Sequence, residues 1–419
     1  MTRRVLVHVG TPKTGTSSLQ DVLFRNRDRL LEHDVLYPAD RFDAHFLAAL
    51  DLMRLPWGGL EHEALGCWER LAAQVRAHHG TAIVSHEILA RATATQAAAA
   101  LASFDEPGGE PAEVHLILSG RDLVRQVPAE WQENVKHRSS LTYERFLRQL
   151  RDPERASRIG SWFWGVQEIP DILDRWGAGL PPEQVHLITV PPPGGDPDLL
   201  WQRFSYAFGL DDLDLDLDTT RANPSMGVPE TALLRRINAS TNKVVPPVHY
   251  RPLVRELVAH QTLSPRRGSP RLAVPPDLHD WLHDLQVRWV TEVRDRGYDV
   301  VGDLDDLLSR PTVPAEDFAD PDRPDEADVA DAALATIGAM LVEHVRARDE
   351  HAAENARAHE VERDLRRQLD EVRAALGRSY LRPSYLLRER IVRGLERSRV
   401  GRVSMRVYRA ARGRSSRSA

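Results

Sequence analysis

Cysteine and long apolar runs are the scarcest features of this 419-residue chain. Cys67 is its single cysteine, which excludes an intramolecular disulfide and a cysteine-rich zinc site. No apolar run approaches the roughly 18 residues of a membrane span, and the run at residues 5–9 is too short for a secretory signal. We therefore expect a cytoplasmic protein without a bound metal.

Lysine is also rare, because only three of the 56 basic residues are lysines: Lys13, Lys136 and Lys243. The formal net charge of −6 is unevenly distributed. From residue 378 onward there are 13 arginines and two glutamates, so this tail carries about +11 and the preceding chain about −17. Such an acidic main body argues against nucleic acid as a general partner.

Short apolar runs alternate with helical patterns over residues 1–310. The runs at residues 5–9, 81–85, 114–119 and 185–190 predict buried strands, each leading into a polar loop or helix. This alternation is typical of an α/β fold, here a P-loop-like three-layer sandwich around a central parallel sheet. Ligands of such sheets bind at the carboxyl ends of the strands, where we expect the site.

Three further segments follow residues 1–310. Residues 311–328 are rich in proline and acidic residues and predict a linker. Residues 329–377 lack proline and carry apolar residues at 3,4 spacing, which predicts a long helix or coiled coil. Residues 378–419 form an arginine-rich tail.

A loop rich in glycine and hydroxyl groups, GTPKTGTSS at residues 10–18, follows the first predicted strand and precedes an amphipathic stretch. Strand, loop and helix in this order bind phosphate on backbone N–H groups at a helix N-terminus. Gly10 and Gly15 have Walker A spacing, but Thr16 stands where that motif has its lysine. A kinase or nucleoside triphosphatase is therefore poorly supported. Lys13 lies at the lip of the loop instead, where its compact ammonium suits a point-charge contact with phosphate.

The segment PKTGTSSLQ, residues 12–20, resembles the 5′-phosphosulfate loop of the sulfotransferases that use 3′-phosphoadenylyl sulfate (PAPS). The bacterial, carbohydrate-type branch, which often reads PKTGTTSLQ, is most similar, and the resemblance covers roughly residues 1–240. It implies PAPS as co-substrate, no metal, and a Lys13 ammonium that contacts the 5′-phosphate and the bridging oxygen. It also implies that the rest of the loop binds this phosphate: Pro12, Thr14, Gly15, Thr16, Ser17 and Ser18.

The family also has an arginine at the end of a mid-chain strand and a serine eight residues later, both of which hold the 3′-phosphate. Arg121 fits the arginine, and its planar guanidinium matches phosphate oxygens; the alternative is a surface arginine paired with Asp122. Ala129 stands at the serine position. This departure leaves Arg125 or Gln126, one helical turn earlier, as substitutes.

Sulfuryl transfer to an alcohol needs a base for the alcohol's proton and positive charge on the departing phosphate. Family members carry a catalytic His, Lys or Glu after the strand equivalent to residues 81–85, which makes His86 the first candidate. An imidazole with a pKa of about 6.5 accepts a proton at neutral pH. Glu87 either orients His86 or is itself the base, and His45 is a rival. The alternatives are a structural His–Glu pair and, for His45, a packing role.

The acceptor side is predicted from the polar segment WQENVKH, residues 131–137. Gln132 and Lys136 lie one turn apart on one helix face and are candidates to bind an acceptor with several hydroxyls or an acidic group; the alternative is a solvated face. Residues 221–225 resemble the segment with which family members close over the adenosine.

Outside the resemblance, the tail mixes arginine with apolar residues. A basic amphipathic helix of this kind binds anionic lipid, which predicts a peripheral position at the inner membrane surface; a disordered or self-associating extension and RNA binding are alternatives. The spacing of Leu365, Leu369, Val372 and Leu376 favours a homodimer through a coiled coil.

The sequence thus favours a sulfotransferase that moves a sulfuryl group from PAPS to a hydroxyl of a carbohydrate, a glycolipid or another small acceptor. The alternative is a catalytically degenerate scaffold of the same fold that acts through its coiled coil and basic tail. Ala129 in place of serine is the feature that keeps this alternative open.

Overall fold

The computed structural model describes residues 3–106, 108–218, 225–311, 313–398 and 400–407. The chain divides into two compact units, Met1–Met340 and Leu341–Ala419.

The first unit is built around a parallel sheet of six strands in the order β2-β3-β1-β4-β5-β6. Its strands are β1 Arg4–His8, β2 Val35–Leu36, β3 Thr81–Ser85, β4 Glu113–Gly120, β5 Val185–Thr189 and β6 Asp299–Val301. The four strands predicted from apolar runs are β1, β3, β4 and β5, which are adjacent in the sheet. The predicted α/β class with a central parallel sheet is therefore confirmed.

Helices cover both faces of the sheet, and further α-helices follow the last strand along the chain. The α-helices are α1 Thr16–Arg25, α2 Arg27–Glu32, α3 Ala44–Met53, α4 Leu60–Glu63, α5 Cys67–Ala77, α6 Ala94–Ala102, α7 Leu123–Lys136, α8 Tyr143–Leu150, α9 Arg158–Gln167, α10 Ile169–Gly177, α11 Leu199–Phe208, α12 Val228–Thr241, α13 Pro247–Tyr250, α14 His279–Asp295, α15 Glu326–Tyr380 and α16 Pro383–Glu396. A π-helix spans Arg251–Leu263, and short 3₁₀ helices span Glu87–Arg91, Pro182–Gln184, Pro276–Leu278, Leu304–Leu307 and Ala315–Asp317.

The two faces of the sheet bury different sets of side chains, because successive residues of a strand point to opposite sides. Leu6 of β1 packs in one cluster with residues of α1, α2 and α11. Val5 and Val7 pack in a second cluster with residues of α3, α5, α7 and α10. The fold is therefore a three-layer sandwich, as predicted.

The sheet order places a topological switch point between β1 and β4, which are neighbours in the sheet. The helix that follows β1 (α1) lies on one face, and the helix that follows β4 (α7) lies on the other. Chains that leave two adjacent parallel strands in opposite directions create a ligand-binding crevice at the carboxyl ends. The loop at residues 10–15 and residues 120–122 border this crevice.

The end of the first unit includes much of the segment predicted as an acidic linker. The Asp322 carboxylate accepts hydrogen bonds from the backbone N–H groups of Tyr143 (3.1 Å) and Glu144 (2.9 Å), at the start of α8. A carboxylate at this position satisfies backbone donors that the helix itself leaves unpaired. Val329 and Ala332 in the first turns of α15 are buried. This segment is therefore part of the packed unit.

The second unit contains the continuation of α15, then α16, so the predicted long C-terminal helix is confirmed. The apolar residues spaced for a coiled coil are exposed here: Leu365, Leu369, Val372 and Leu376. No helix within the described residues combines the length and the apolarity that a membrane-spanning helix needs.

Candidate functional site

The loop after β1 is fastened to the end of β4. The Thr11 N–H donates to the carbonyl oxygen of Ser119 at 2.8 Å. The Thr14 hydroxyl contacts the Thr11 carbonyl oxygen and Ser119 Oγ, both at 2.6 Å, and Thr14 is 1% exposed. Thr14 therefore shapes the loop from inside, and its hydroxyl does not face the crevice.

His8, the last residue of β1, contacts Ser119, to which Thr14 of the loop is also bound. Its ring lies 2.8 Å from Ser85 Oγ and 3.3 Å from Ser119 Oγ and packs edge-on against Phe204 and Phe208. Burial lowers the pKa of His8 to about 4, so the ring is neutral at physiological pH.

Gly15 joins the loop to α1. Its φ of 90° lies in the left-handed region, and a Cβ atom on Gly15 would lie only 2.8 Å from Leu200 Cδ2, so a larger residue would be strained. No side chain of the described residues caps the N-terminus of α1. Ser17 and Ser18, in the first turn, are exposed, whereas Thr16 is buried. This helix end can present hydroxyl and N–H donors to an anion.

Lys13 forms an ion pair that spans 120 residues of sequence. Its Nζ lies 2.7 Å from Glu133 Oε2 on α7. The other carboxylate oxygen of Glu133 accepts from Arg255 at 3.3 Å and lies 3.0 Å from His137 Nε2. Burial alone raises the pKa of Glu133, but the hydrogen bond with His137 and the charge of Lys13 lower this pKa well below its usual range. Glu133 is therefore an ionised hub for three basic side chains.

Arg121 meets the loop from the end of β4. Its Nη1 donates to the Lys13 carbonyl oxygen at 3.1 Å. Its Nε is buried and has no hydrogen-bond acceptor in the described part of the chain. Burial and the neighbouring Arg125 lower the pKa of Arg121 to about 10. The structure thus brings Lys13 and Arg121 together at the crevice and leaves a buried donor of Arg121 unused.

Arg125 and Gln126, the predicted substitutes for the missing serine, are occupied by internal contacts. Arg125 binds the Asp122 carboxylate and donates to the carbonyl oxygens of Pro191 (2.9 Å) and Val190 (3.4 Å). Gln126 is 1% exposed, and its amide contacts the Pro12 carbonyl oxygen and the side chain of Gln167. Both residues therefore connect α7 to neighbouring segments of the chain. Of the predicted 3′-phosphate contacts, Arg121 has a buried Nε without an acceptor among the described residues.

His86 and Glu87 follow β3 and begin the 3₁₀ helix Glu87–Arg91. His86 Nδ1 accepts the N–H of Ile88 at 3.2 Å, so a neutral ring carries its proton on Nε2. Burial lowers the pKa of His86. In this tautomer the ring is a donor at Nε2 and has no free acceptor nitrogen. The geometry therefore weighs against His86 as the base.

Glu87 accepts a hydrogen bond from Gln20 Nε2 at 2.8 Å. Burial alone raises the pKa of Glu87, but His86 and the Gln20 amide lower it, so the carboxylate is ionised and able to accept a proton. Its backbone lies against the loop, because a Cβ atom on Gly10 would be 2.8 Å from the Glu87 carbonyl oxygen.

His45 is a core residue. Both ring nitrogens are engaged, with the N–H of Ser85 at 3.0 Å and the carbonyl oxygen of Pro38 at 3.2 Å, and the ring stacks on Tyr37. Burial lowers the pKa of His45 to about 3. The packing role, left open in the sequence, is the one that this geometry supports.

Gln132 and Lys136 lie on α7 as predicted, but both are buried, at 5% and 2% exposure. The Gln132 side-chain amide exchanges hydrogen bonds with the backbone of Met226 and donates to Thr231 Oγ1. Gln132 thus holds the start of α12 and does not face an acceptor. Burial lowers the pKa of Lys136 to about 8. The alternative from the sequence, a solvated helix face, is wrong for both residues.

Sequence reasoning missed the partners of Lys13. Glu133 lies in the polar segment that it singled out, and the i,i+4 spacing of Glu133 and His137 is a signal for a helical pair. Glu130, one turn before Glu133, is also buried, and burial raises its pKa to about 7. Arg255 carries no such signal, because it comes from a π-helix with no recognisable motif.

Two further expectations concern the segment that covers the adenosine and the binding of a metal. In the segment predicted to cover the adenosine, residues 221–224 lie outside the described residues. Within the described ranges, no group of three or more His, Cys, Asp or Glu side chains is arranged to hold a metal ion.

Comparison with known proteins gives one distant similarity. No family model and no curated protein matches the chain. Among solved structures, the chain is similar to the crystal structure of a sulfotransferase from Alicyclobacillus acidocaldarius, with 14% sequence identity and a TM-score of 0.39. The match covers 71% of this chain and 97% of the other. A similarity at this level carries no argument about activity.

Proposed function

We propose that this protein is a sulfotransferase that moves a sulfuryl group from PAPS to a hydroxyl of a carbohydrate, a glycolipid or another small acceptor. The observation that supports this most is the meeting of the Lys13 loop and Arg121. The loop follows β1 and Arg121 follows β4, so two cationic elements that are far apart in sequence border one crevice. A nucleotide with phosphate groups at its 3′ and 5′ positions suits such a crevice.

The 5′ end of the donor is assigned to the N-terminus of α1. Backbone N–H groups at Gly15 and Thr16, with the exposed hydroxyls of Ser17 and Ser18, favour an anion there. The 3′-phosphate is assigned to Arg121, whose buried Nε lacks an acceptor among the described residues. An anion at that point would satisfy the donor and offset the cost of burying the charge.

Lys13 has to exchange partners for this chemistry. In the structure its ammonium is neutralised by Glu133, which also contacts Arg255 and His137. If Lys13 turns toward the donor, Glu133 keeps Arg255 and therefore is not left as an unpaired buried charge. We assign to Lys13 the stabilisation of the negative charge that develops on the departing phosphate.

Glu87 is the base that the geometry favours. The acceptor O–H gives its proton to the ionised Glu87 carboxylate while the acceptor oxygen attacks sulfur. The bond between sulfur and the bridging oxygen breaks, and adenosine 3′,5′-bisphosphate leaves with the electron pair. In this assignment His86 has a structural role, because its Nδ1 accepts the N–H of Ile88 at the start of the 3₁₀ helix.

Isothermal titration with adenosine 3′,5′-bisphosphate tests the nucleotide site. We expect the wild-type protein to bind and Lys13→Ala to lose binding. Lys243→Ala is the matched control, because Lys243 is exposed and should leave binding unchanged. Absence of binding by the intact wild-type protein would contradict the proposal.

A scaffold function is a second candidate, and the exposed apolar residues of α15, including Leu365 and Leu369, favour it. In this reading the second unit self-associates as a coiled coil and the basic tail binds an anionic membrane. Incubation with labelled PAPS and a cell extract separates the candidates. A labelled product supports the enzyme, whereas bound nucleotide without transfer to any acceptor supports the scaffold.

A further inference from the structure

A cavity of about 310 Å³ lies between the end of α3, the 3₁₀ helix Glu87–Arg91 and α9. Its lining is part aromatic and aliphatic, part polar: Met53, Leu55, Arg91, Thr93, Gln96, Arg158, Ser161 and Trp162. A cavity of this volume is within the range of small-molecule sites. Its lining residues include neither the loop at residues 10–18 nor Glu87.

Two arginines give the cavity its charge. Arg91 donates to Ser161 Oγ at 3.3 Å, and no ion pair of Arg91 or Arg158 is found in the described parts of the chain. Arg203, by contrast, pairs with Asp306 at 2.6 Å. Arg91 is half-buried and Arg158 is exposed. The planar forks of both guanidinium groups match an oxyanion such as carboxylate or phosphate. The cavity therefore favours an anionic ligand.

An aromatic path connects this cavity to the residues that follow β3. Trp162 contacts Trp57 at 5.9 Å between ring centroids, Trp57 contacts Phe46 at 5.6 Å, and Phe46 contacts His86 at 5.2 Å. The face of an aromatic ring is electron-rich and attracts C–H groups that carry partial positive charge. Trp162, the aromatic residue that lines the cavity, suits a hydroxylated ring with an apolar C–H face.

Arg91, which lines the cavity, belongs to the same short helix as Glu87. Glu87 and Arg91 are the first and last residues of this 3₁₀ helix, so they are about 8 Å apart along its axis. An acceptor whose anionic end contacts Arg91 has to span about this distance to place a hydroxyl at the Glu87 carboxylate.

From these contacts we propose that the cavity is the acceptor site and takes an acidic sugar, a hydroxylated ring that carries an oxyanion. Arg91 and Arg158 bind the oxyanion and Trp162 packs on the ring. This inference rests on the proposed function, since it names the class of acceptor for the same reaction. The oxyanion is a carboxylate or a phosphate, since the two guanidinium groups can donate hydrogen bonds to either.

Binding is tested without nucleotide, by isothermal titration and ligand-observed NMR. The probes are methyl glucuronide, glucose 6-phosphate and methyl glucoside, which share a ring and differ in charge. We expect at least one charged probe to bind about 10-fold more tightly than methyl glucoside. Arg158→Gln and Arg91→Gln should each reduce this binding about 10-fold or more. Arg145→Gln, at an exposed position on α8, is the matched control and should bind as the wild type does.

Adenosine 3′,5′-bisphosphate binding and the thermal unfolding midpoint are measured on the same samples. Variants that keep both but lose the charged probe support the acceptor site, and the preferred probe tells carboxylate from phosphate. Equal binding of charged and neutral probes, or no binding of a charged probe by a wild type that binds nucleotide, overturns this inference. If the wild-type protein binds the charged probe but does not bind adenosine 3′,5′-bisphosphate, the proposed function is overturned instead.

Discussion

Charged side chains are arranged differently in the two units of this chain. In the first unit, Lys13 and Glu133 pair across 120 residues of sequence, with side chains only 25% and 19% exposed. In the second, Arg346 pairs with Glu343 and Glu350, three and four residues away on the same helix, and its side chain is 62% exposed. Long-range, part-buried pairs fix one element against another, whereas exposed pairs within a helix contribute little. The Lys13–Glu133 pair therefore fixes the loop at residues 10–15 against α7, whereas the pairs of Arg346 connect residues of one helix.

The strongest test of this contrast removes one cation from each unit. Lys13→Ala should weaken adenosine 3′,5′-bisphosphate binding about 100-fold or more, because a charge-assisted contact with phosphate is lost. Arg346→Ala should leave the dissociation constant unchanged. Titration calorimetry of both variants measures the difference, and equal effects would remove the contrast.

Glu130 provides a pH test of burial in the first unit. Its pKa rises from about 4.5 to about 7 on folding because burial disfavours the charged form. The folded state therefore binds this proton more tightly, so the associated stability is complete below about pH 4.5 and is lost as the pH rises to about 7. Relative to Glu130→Gln, the wild-type free energy of unfolding should fall by up to about 3 kcal/mol over this range.

Denaturant titrations of wild type and Glu130→Gln across pH 4–8 supply those free energies. Only the difference between the two proteins is used, so groups that titrate in both cancel. A difference that does not change with pH would show that Glu130 is not held as a buried carboxyl.

Glu133→Gln sharpens the comparison further, because it separates stability from binding. Loss of the hub carboxylate should lower the free energy of unfolding by about 2 kcal/mol, since Lys13 and Arg255 lose a part-buried partner. The same change should raise nucleotide affinity, because Lys13 no longer has to leave Glu133. Denaturant titration and calorimetry on one preparation check both signs, and a fall in affinity would contradict the proposed exchange.

The smallest effect belongs to the second unit. Arg346→Gln should produce no resolvable shift in thermal unfolding, because its pairs with Glu343 and Glu350 are exposed and screened by salt. A shift in the thermal unfolding midpoint as large as that of Glu133→Gln would show that the ion pairs of Arg346 stabilise the folded protein.

The parts of the fold that were predictable are those encoded by neighbouring residues. The runs at residues 5–9, 81–85, 114–119 and 185–190 are continuous and apolar because both faces of the sheet are covered, and all four are central strands. The short edge strands β2 and β6 were not predicted. They contain two and three residues, which is too short for a periodicity to be visible.

The site shows the same division. The loop at residues 10–18 and Arg121 were predictable, because a glycine-rich turn and an arginine at a strand end are local signals. The partner of Lys13 was not, since the contact with Glu133 depends on how α7 packs. For the same reason the sequence could not show that Gln132 contacts Met226. Nor could it show that Arg125 contacts the Asp122 carboxylate and the carbonyl oxygens of Val190 and Pro191.

The central claim is that Lys13 leaves Glu133 to bind the donor, and the three lysines of the chain make a direct measurement feasible. In NMR spectra of protein labelled at lysine, the side chains of Lys13, Lys136 and Lys243 give separate signals that single Lys→Arg variants assign. We predict that adenosine 3′,5′-bisphosphate shifts the Lys13 signal in a saturable manner and leaves the Lys243 signal in place. A Lys13 signal that stays unchanged at saturating nucleotide would contradict the account.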